Sequence, residues 1–358
     1  MGLGASAATL AVDAKRNVPG GRSNINYRGF AMTLMIVRYS SGEGTPLWGK
    51  LIGTAPTSPE QLIDVIELDT DAATTSDLIG ELDAGQISLD GPTRRIPAKL
   101  LRSPVTSDAT LVCQGLNYSD HVKEAGHSER KANLLFIKAS SALSGPYEDI
   151  VRPEGVDLLD FEVEVGVVLR AAPPRGVALG DDNIADVVAG FVLCNDVSAR
   201  DVMFGASFLQ WFQGKSYRTF CPTGPVLYLP AREDLAAVAD GLAIGLYYNG
   251  ELKQTANTHQ LVYKPAETLE HISAFMDLKR GDMVLTGTPG GVLAQVTPKV
   301  AEVLQENLFN DAARRQGFSA ELKKASPFLQ PGDVLTLTMS DARAGIDLGG
   351  QKTAIADA

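Results

Sequence analysis

Hydrophobic and polar residues alternate along much of this chain, and the alternation predicts a protein built mainly of strands. Phe161–Leu169 reads Phe-Glu-Val-Glu-Val-Gly-Val-Val-Leu, a Val-rich run with an acid at every second position near its start. Val187–Leu193, Leu242–Tyr248, Met283–Leu285 and Val334–Met339 also read as strands, and Gly281-Asp282 and Gly332-Asp333 supply turn residues ahead of two of them. Nearer the start, Met35–Tyr39 and Leu47–Ile52 predict a hairpin. Ser58–Leu68 predicts a short helix, with Ser58 as cap before Pro59 and Glu60. Helical spacing is otherwise confined to Ser119–Ala125, Pro265–Met276, Pro298–Leu308 (Val300, Val303, Leu304 and Leu308 on one face) and the charged run Asp311–Lys324.

These elements sort into a mainly β, α+β chain. Residues 1–32 are rich in Gly, Ser and Asn and read as a disordered lead. Residues 33–104 are assigned to a small N-terminal domain, closed by the apolar and basic Arg94–Leu101 and Pro104. Residues 105–350 are assigned to one catalytic domain carrying a helical insert at about 296–328. No internal repeat of solenoid or propeller spacing is present.

Composition narrows the functional classes. The 358 residues are 44% hydrophobic and 21% charged, an ordinary globular balance that permits a sizeable core. A formal net charge of −11 argues against nucleic acid or an anionic membrane as partner. It leaves open a small anionic substrate, because charge inside a pocket is local. Cys113, Cys194 and Cys221 are few, odd in number and far apart, which predicts reduced, buried thiols in a cytoplasmic protein. No apolar run approaches the roughly 20 residues of a spanning helix.

Glu162 and Glu164 lie two apart in the predicted strand, so their side chains point the same way. Two carboxylates on one face need a cation if they are buried. On the solvated face of an edge strand they would need none. Asn195-Asp196 closes the strand Val187–Leu193 and places a third carboxylate at a strand end. Three carboxylates without convergent Cys or His form a hard-oxygen set suited to Mg²⁺, Mn²⁺ or Ca²⁺ rather than zinc.

The candidate base is a histidine beside an acid. His121 and Glu124 are i, i+3 neighbours if Ser119–Ala125 is helical, and a carboxylate beside imidazole raises its basicity. A surface pair on a polar helix would show the same spacing. Nor does spacing single out His121: His127 lies three residues from Glu124, and His271 four from Glu267.

Seven ordered stretches carry a further signal. Gly115–Glu124 (GLNYSDHVKE), Phe136–Leu143 (FIKASSAL), Leu159–Val168 (LDFEVEVGVV), Gly190–Asp201 (GFVLCNDVSARD), Gln213–Tyr217 (QGKSY), Pro222–Leu227 (PTGPVL) and Leu285–Val292 (LTGTPGGV) together resemble the catalytic domain of the fumarylacetoacetate hydrolase family. The resemblance covers roughly residues 105–292 and the strand near Pro331–Met339. It implies a mixed β-sandwich roll, a homodimer, and Mg²⁺ or Mn²⁺ (Ca²⁺ as a substitute) on Glu162, Glu164 and Asp196. It also implies that His121, with Glu124, activates a water, and that Lys215 lies near the substrate oxyanion. Arg200, Lys138 and Thr288 match positions near the substrate or supporting the site.

The implied substrate is a small β-diketo or 2-oxo acid of acylpyruvate or fumarylpyruvate type. The cation would serve as Lewis acid and template, the activated water would attack the distal carbonyl, and the C–C bond would break. Decarboxylation of oxaloacetate, or isomerisation of a 2-oxo acid, is the alternative on the same residues. A binding module that keeps the fold without catalysis is a reading from another class, and it would predict loss of the acids or the base. The chain departs from the family pattern at Tyr217-Arg218, at Leu293, and in the long segment after Val292.

Overall fold

The computed structural model describes residues 32–42, 44, 46–118, 132–206, 209–295, 297–325 and 327–358. The expected lead (apart from Met32) and the helix Ser119–Ala125, with His121, Glu124 and His127, lie outside the described residues.

Val, Ile and Leu at alternating positions drive most of the chain into sheets. The larger sheet has 11 strands. Its path runs Thr93–Pro97, Leu62–Glu67, Leu47–Ile52, Leu34–Tyr39, Leu227–Leu229, Val188–Asn195, Val163–Leu169, Met283–Leu285, Leu111–Gly115 and Leu134–Lys138, while Leu101–Arg102 pairs with Leu34–Tyr39 off the path. Pairing is antiparallel except between Met283–Leu285 and Leu111–Gly115. The second sheet runs Glu251–Asn257, Leu242–Tyr248, Val334–Asp341, Ile346–Asp357 and Ile150–Arg152, its last pair parallel. This is the mixed, mainly β, α+β architecture that the alternation predicts. The strands of 33–104 continue the sheet of the later residues, joined where Leu34–Tyr39 pairs with Leu227–Leu229.

The strand Val163–Leu169 is buried at every residue, with neighbours on both sides. It is no edge strand, so the solvated-edge account of the acidic pair is overturned. The expected helix Ser58–Leu68 is also corrected: Leu62–Glu67 is a strand. Ile63 and Val65 are buried on one face while Leu62 is 63% exposed, the two-residue period of a sheet. Pairing with strands on both flanks outweighs the capping signal at Ser58.

The helix Thr75–Asp83 went unpredicted, although Thr74 and Asp77 form a capping box that marks it. The C-terminal strand Ile346–Asp357 was missed as well. The helices Pro265–Ser273, Pro298–Glu306 and Asp311–Ala325 stand where the periodicity puts them. Cys113, Cys194 and Cys221 are free and buried. Among the described residues no helix is long and apolar enough to cross a membrane.

Candidate metal centre and active site

Strand register assembles the acidic residues. Val163 pairs with Asn195 and Glu164 with Cys194. One step further, the Asp196 N–H donates to the Glu162 carbonyl at 2.8 Å. The glutamate pair and the aspartate after the neighbouring strand therefore come together. One oxygen each from Glu162, Glu164 and Asp196 lies within 4.8 Å of the others, and all three residues are buried.

Three cations surround them. The Lys215 ammonium lies 2.8 Å from Glu162 Oε2 and 2.7 Å from Asp196 Oδ2. Burial alone would lower its pKa, but Asp196 and Glu162 outweigh burial and raise it, so Lys215 is held charged. It ends the short helix Trp211–Lys215, which packs closely on Arg200–Gly205 because Gly214 has no side chain. A Cβ at Gly214 would meet Met203 Cγ at 2.3 Å. Arg200 bridges two acids, with Nε 2.9 Å from Asp160 Oδ2 and Nη2 2.6 Å from Glu162 Oε1. The Lys138 ammonium is 2.6 Å from Asp196 Oδ1. It is 1% exposed and stands behind Asp196 rather than on the cavity wall, the placement of a residue that orients the aspartate.

Glu164 is the exception. Its Oε2 accepts the Gly287 N–H at 2.8 Å, and Gly287 holds a φ of +90° with Asn117 Cβ 2.9 Å from where its own Cβ would be. Its Oε1 is buried with no hydrogen-bond partner. Burial first, then Asp196 and Glu162, push the Glu164 carboxyl well above the usual range. Among the described residues, four carboxyl groups (Asp160, Glu162, Glu164 and Asp196) thus share three cations (Lys138, Lys215 and Arg200), none of which is ion-paired with Glu164, and burial beside two acids disfavours the charged form of Glu164 while no cation binds there. An orphaned carboxylate oxygen inside a hard-oxygen set is what a divalent cation relieves. The residues present fit Mg²⁺ or Mn²⁺.

A cavity of about 360 Å³ opens on this centre, with Glu162, Arg200, Lys215 and Thr288 in its lining. The Thr288 hydroxyl is already committed: it donates to Val163 O at 3.0 Å and accepts from Gln254 Nε2 at 2.8 Å. The sequence reading missed that Gln254 brace, and it missed Asp160. Asp160 Oδ1 accepts the N–H groups of Phe161 and Leu293, while Oδ2 takes Arg200 and the Ala294 N–H. Its position two residues before Glu162 was the available signal. Gln254 had none, because it comes from the other sheet.

The profile described as fumarylacetoacetate (FAA) hydrolase C-terminal matches residues 110–354. The chain belongs to the fumarylacetoacetate hydrolase family. Among curated relatives of this family member, a mitochondrial oxaloacetate tautomerase of Bos taurus is 41% identical over 190 residues, 53% of this chain and 59% of that protein. A 2,4-didehydro-3-deoxy-L-rhamnonate hydrolase of a Sphingomonas strain is 38% identical over 189 residues, 53% of this chain and 64% of that protein. The chain thus spans less than two thirds of either relative. The crystal structure of the fumarylacetoacetate hydrolase from Exiguobacterium antarcticum superposes with a TM-score of 0.65 at 24% identity, covering 91% of this chain and 100% of that one. That likeness establishes the fold. The chain is an enzyme of this family with a buried acidic triad.

Proposed function

We propose that this enzyme hydrolyses a C–C bond of a β-diketo 2-oxo acid of acylpyruvate type, with a divalent cation, Mg²⁺ or Mn²⁺, on Glu162, Glu164 and Asp196. The observation that carries the proposal is the orphaned Glu164 oxygen in a triad that adjoins a cavity lined by Lys215 and Arg200. When bound, the cation supplies Lewis acidity toward a 2-oxo carboxylate.

The chain's own residues divide the remaining work. Arg200, braced by Asp160, and Lys138 orient Glu162 and Asp196. Lys215 presents a permanent positive charge in the cavity, where negative charge develops as the distal carbonyl is attacked. His121, oriented by Glu124, takes the proton of the attacking water; both roles rest on the motif, since the pair lies outside the described residues. The hydroxyl adds to the distal carbonyl and the adjacent C–C bond breaks. Its electron pair passes into the enolate of pyruvate, which takes back the proton held by His121, leaving pyruvate and a free acid. Thr288 shapes the floor beside Val163.

The relative named as an oxaloacetate tautomerase favours a second use of the same residues: proton transfer at, or decarboxylation of, a 2-oxo acid, with no water attack. Loss of enol absorbance from acylpyruvates and oxaloacetate, with Mg²⁺ or with chelator, tests both. Metal-dependent release of pyruvate and a free acid supports hydrolysis. Enol loss without pyruvate release moves the assignment to tautomerisation. His121→Ala should abolish hydrolysis while keeping Mg²⁺ binding; a fully active variant would refute its role. A homodimer and a cytoplasmic location belong to this proposal too, and the dimer is checked by light scattering.

A further inference from the structure

Beyond its charged group, the cavity is lined mostly by apolar side chains, with Gln114, Thr288 and Gln295 the polar ones among the described residues. Among the described lining residues, Glu162, Arg200 and Lys215 are the charged ones. From Lys215 a file of aromatic rings leads away. The ammonium sits 5.6 Å from the Phe136 ring centroid. Phe136 meets Trp211 at 5.3 Å, Trp211 meets Phe204 at 5.6 Å, and Phe204 meets Phe318 at 5.4 Å. Phe318 and Leu322 come from the helix Asp311–Ala325 and Leu304 from Pro298–Glu306, the long segment after Val292.

That segment is fastened in place. The Arg314 guanidinium is 1% exposed and donates to the carbonyls of Phe204, Ala206, Asn307 and Leu308. Gly205 lies against it, with Arg315 Cα 3.3 Å from where a Cβ would be. The helix is therefore a fixed wall of the cavity.

We infer that the segment 297–325 builds a hydrophobic chamber for the substrate's distal end, and that the enzyme selects 2-oxo acids with an aryl or branched alkyl tail over those with a second carboxylate. This rests on the proposed function for the 2-oxo acid end alone. A second carboxylate would lose its hydration among Phe204, Trp211, Leu304, Phe318 and Leu322 with no described cation there to replace it. A phenyl ring or an isobutyl group would bury apolar surface and stack on rings already spaced for edge contacts.

Calorimetry with two non-cleavable probes, 2-oxo-4-phenylbutanoate and 2-oxoglutarate, on the full chain with Mg²⁺ tests the chamber separately from catalysis. The phenyl probe should bind at least about tenfold more tightly. Phe318→Ala and, as a milder change, Leu304→Ala should shrink that ratio toward one. Equal binding, tighter binding of 2-oxoglutarate, or an unchanged ratio in both variants overturns the chamber. Phenyl-selective binding without turnover of any acylpyruvate would keep the chamber and refute the hydrolase. Turnover favouring dicarboxylates would do the reverse.

Discussion

Glu164→Gln is the sharpest test of the metal centre, because stability and function should respond in opposite directions. In the metal-free protein the Glu164 carboxylate lies within 4.8 Å of the oxygens of both Glu162 and Asp196. At an effective dielectric near 20, each such pair would repel by about 3.5 kcal/mol with both groups charged; this repulsion and burial raise the Glu164 pKa, and protonation together with Lys215 relieves part of it. Glutamine removes that repulsion and can still accept the Gly287 N–H, at the cost of about 1 kcal/mol for a buried amide without an acceptor. The metal-free variant should therefore melt at the wild-type temperature or up to a few degrees higher, whereas a typical buried substitution destabilises by about 1 kcal/mol. Mg²⁺ should behave oppositely. At about 100 times its Kd it stabilises the wild type by about 2.7 kcal/mol, on the order of 5 °C for a chain of this size. The variant should lose most of that shift and its metal-dependent turnover. Differential scanning calorimetry with and without Mg²⁺ reads both effects. A variant that melts several degrees lower while keeping the full Mg²⁺ shift would refute the reasoning, since Glu164 would then be a structural carboxylate and no ligand.

Three further outcomes follow from the geometry. Lys215→Met should lower metal-free stability by about 3–5 kcal/mol, because Glu162 and Asp196 lose a shared buried partner; turnover should fall at least about 100-fold and not recover at high Mg²⁺. Arg200→Lys should weaken Mg²⁺ binding by about 10–100-fold in calorimetry, since one ammonium cannot reproduce the fork that joins Asp160 to Glu162. Gly214→Ala should cost about 1–3 kcal/mol in denaturant melts and reduce turnover by displacing Lys215, because the new methyl would meet Met203 Cγ at 2.3 Å and Ala199 O at 3.0 Å.

Local pattern alone determined a good deal here. The alternation in Val163–Leu169 and Val334–Asp341, and the helical period after Thr297, are visible because side-chain direction repeats every two or 3.6 residues whatever the rest of the chain does. The Glu162/Glu164 spacing, Asp196 at a strand end and the ordered motifs pointed to the metal triad and the family for the same reason. Tertiary structure decided what depends on neighbours distant in sequence. Ser58–Leu68 carries a helix cap, but strands on both sides turn its second half into a sheet. Whether the acidic strand was an edge or an interior one depended on Val188–Asn195 and Met283–Leu285 taking places beside it. Glu164 became the orphan only because Lys215, 51 positions later, reached Glu162 and Asp196 instead. Part of the apolar side of the cavity, Phe318 and Leu322, came from a helix that begins 100 residues past Trp211, anchored by Arg314 on the carbonyls of Phe204 and Ala206. Burial and charge pairing are sums over neighbours in space, and a one-dimensional pattern records the residues without recording which of them will meet.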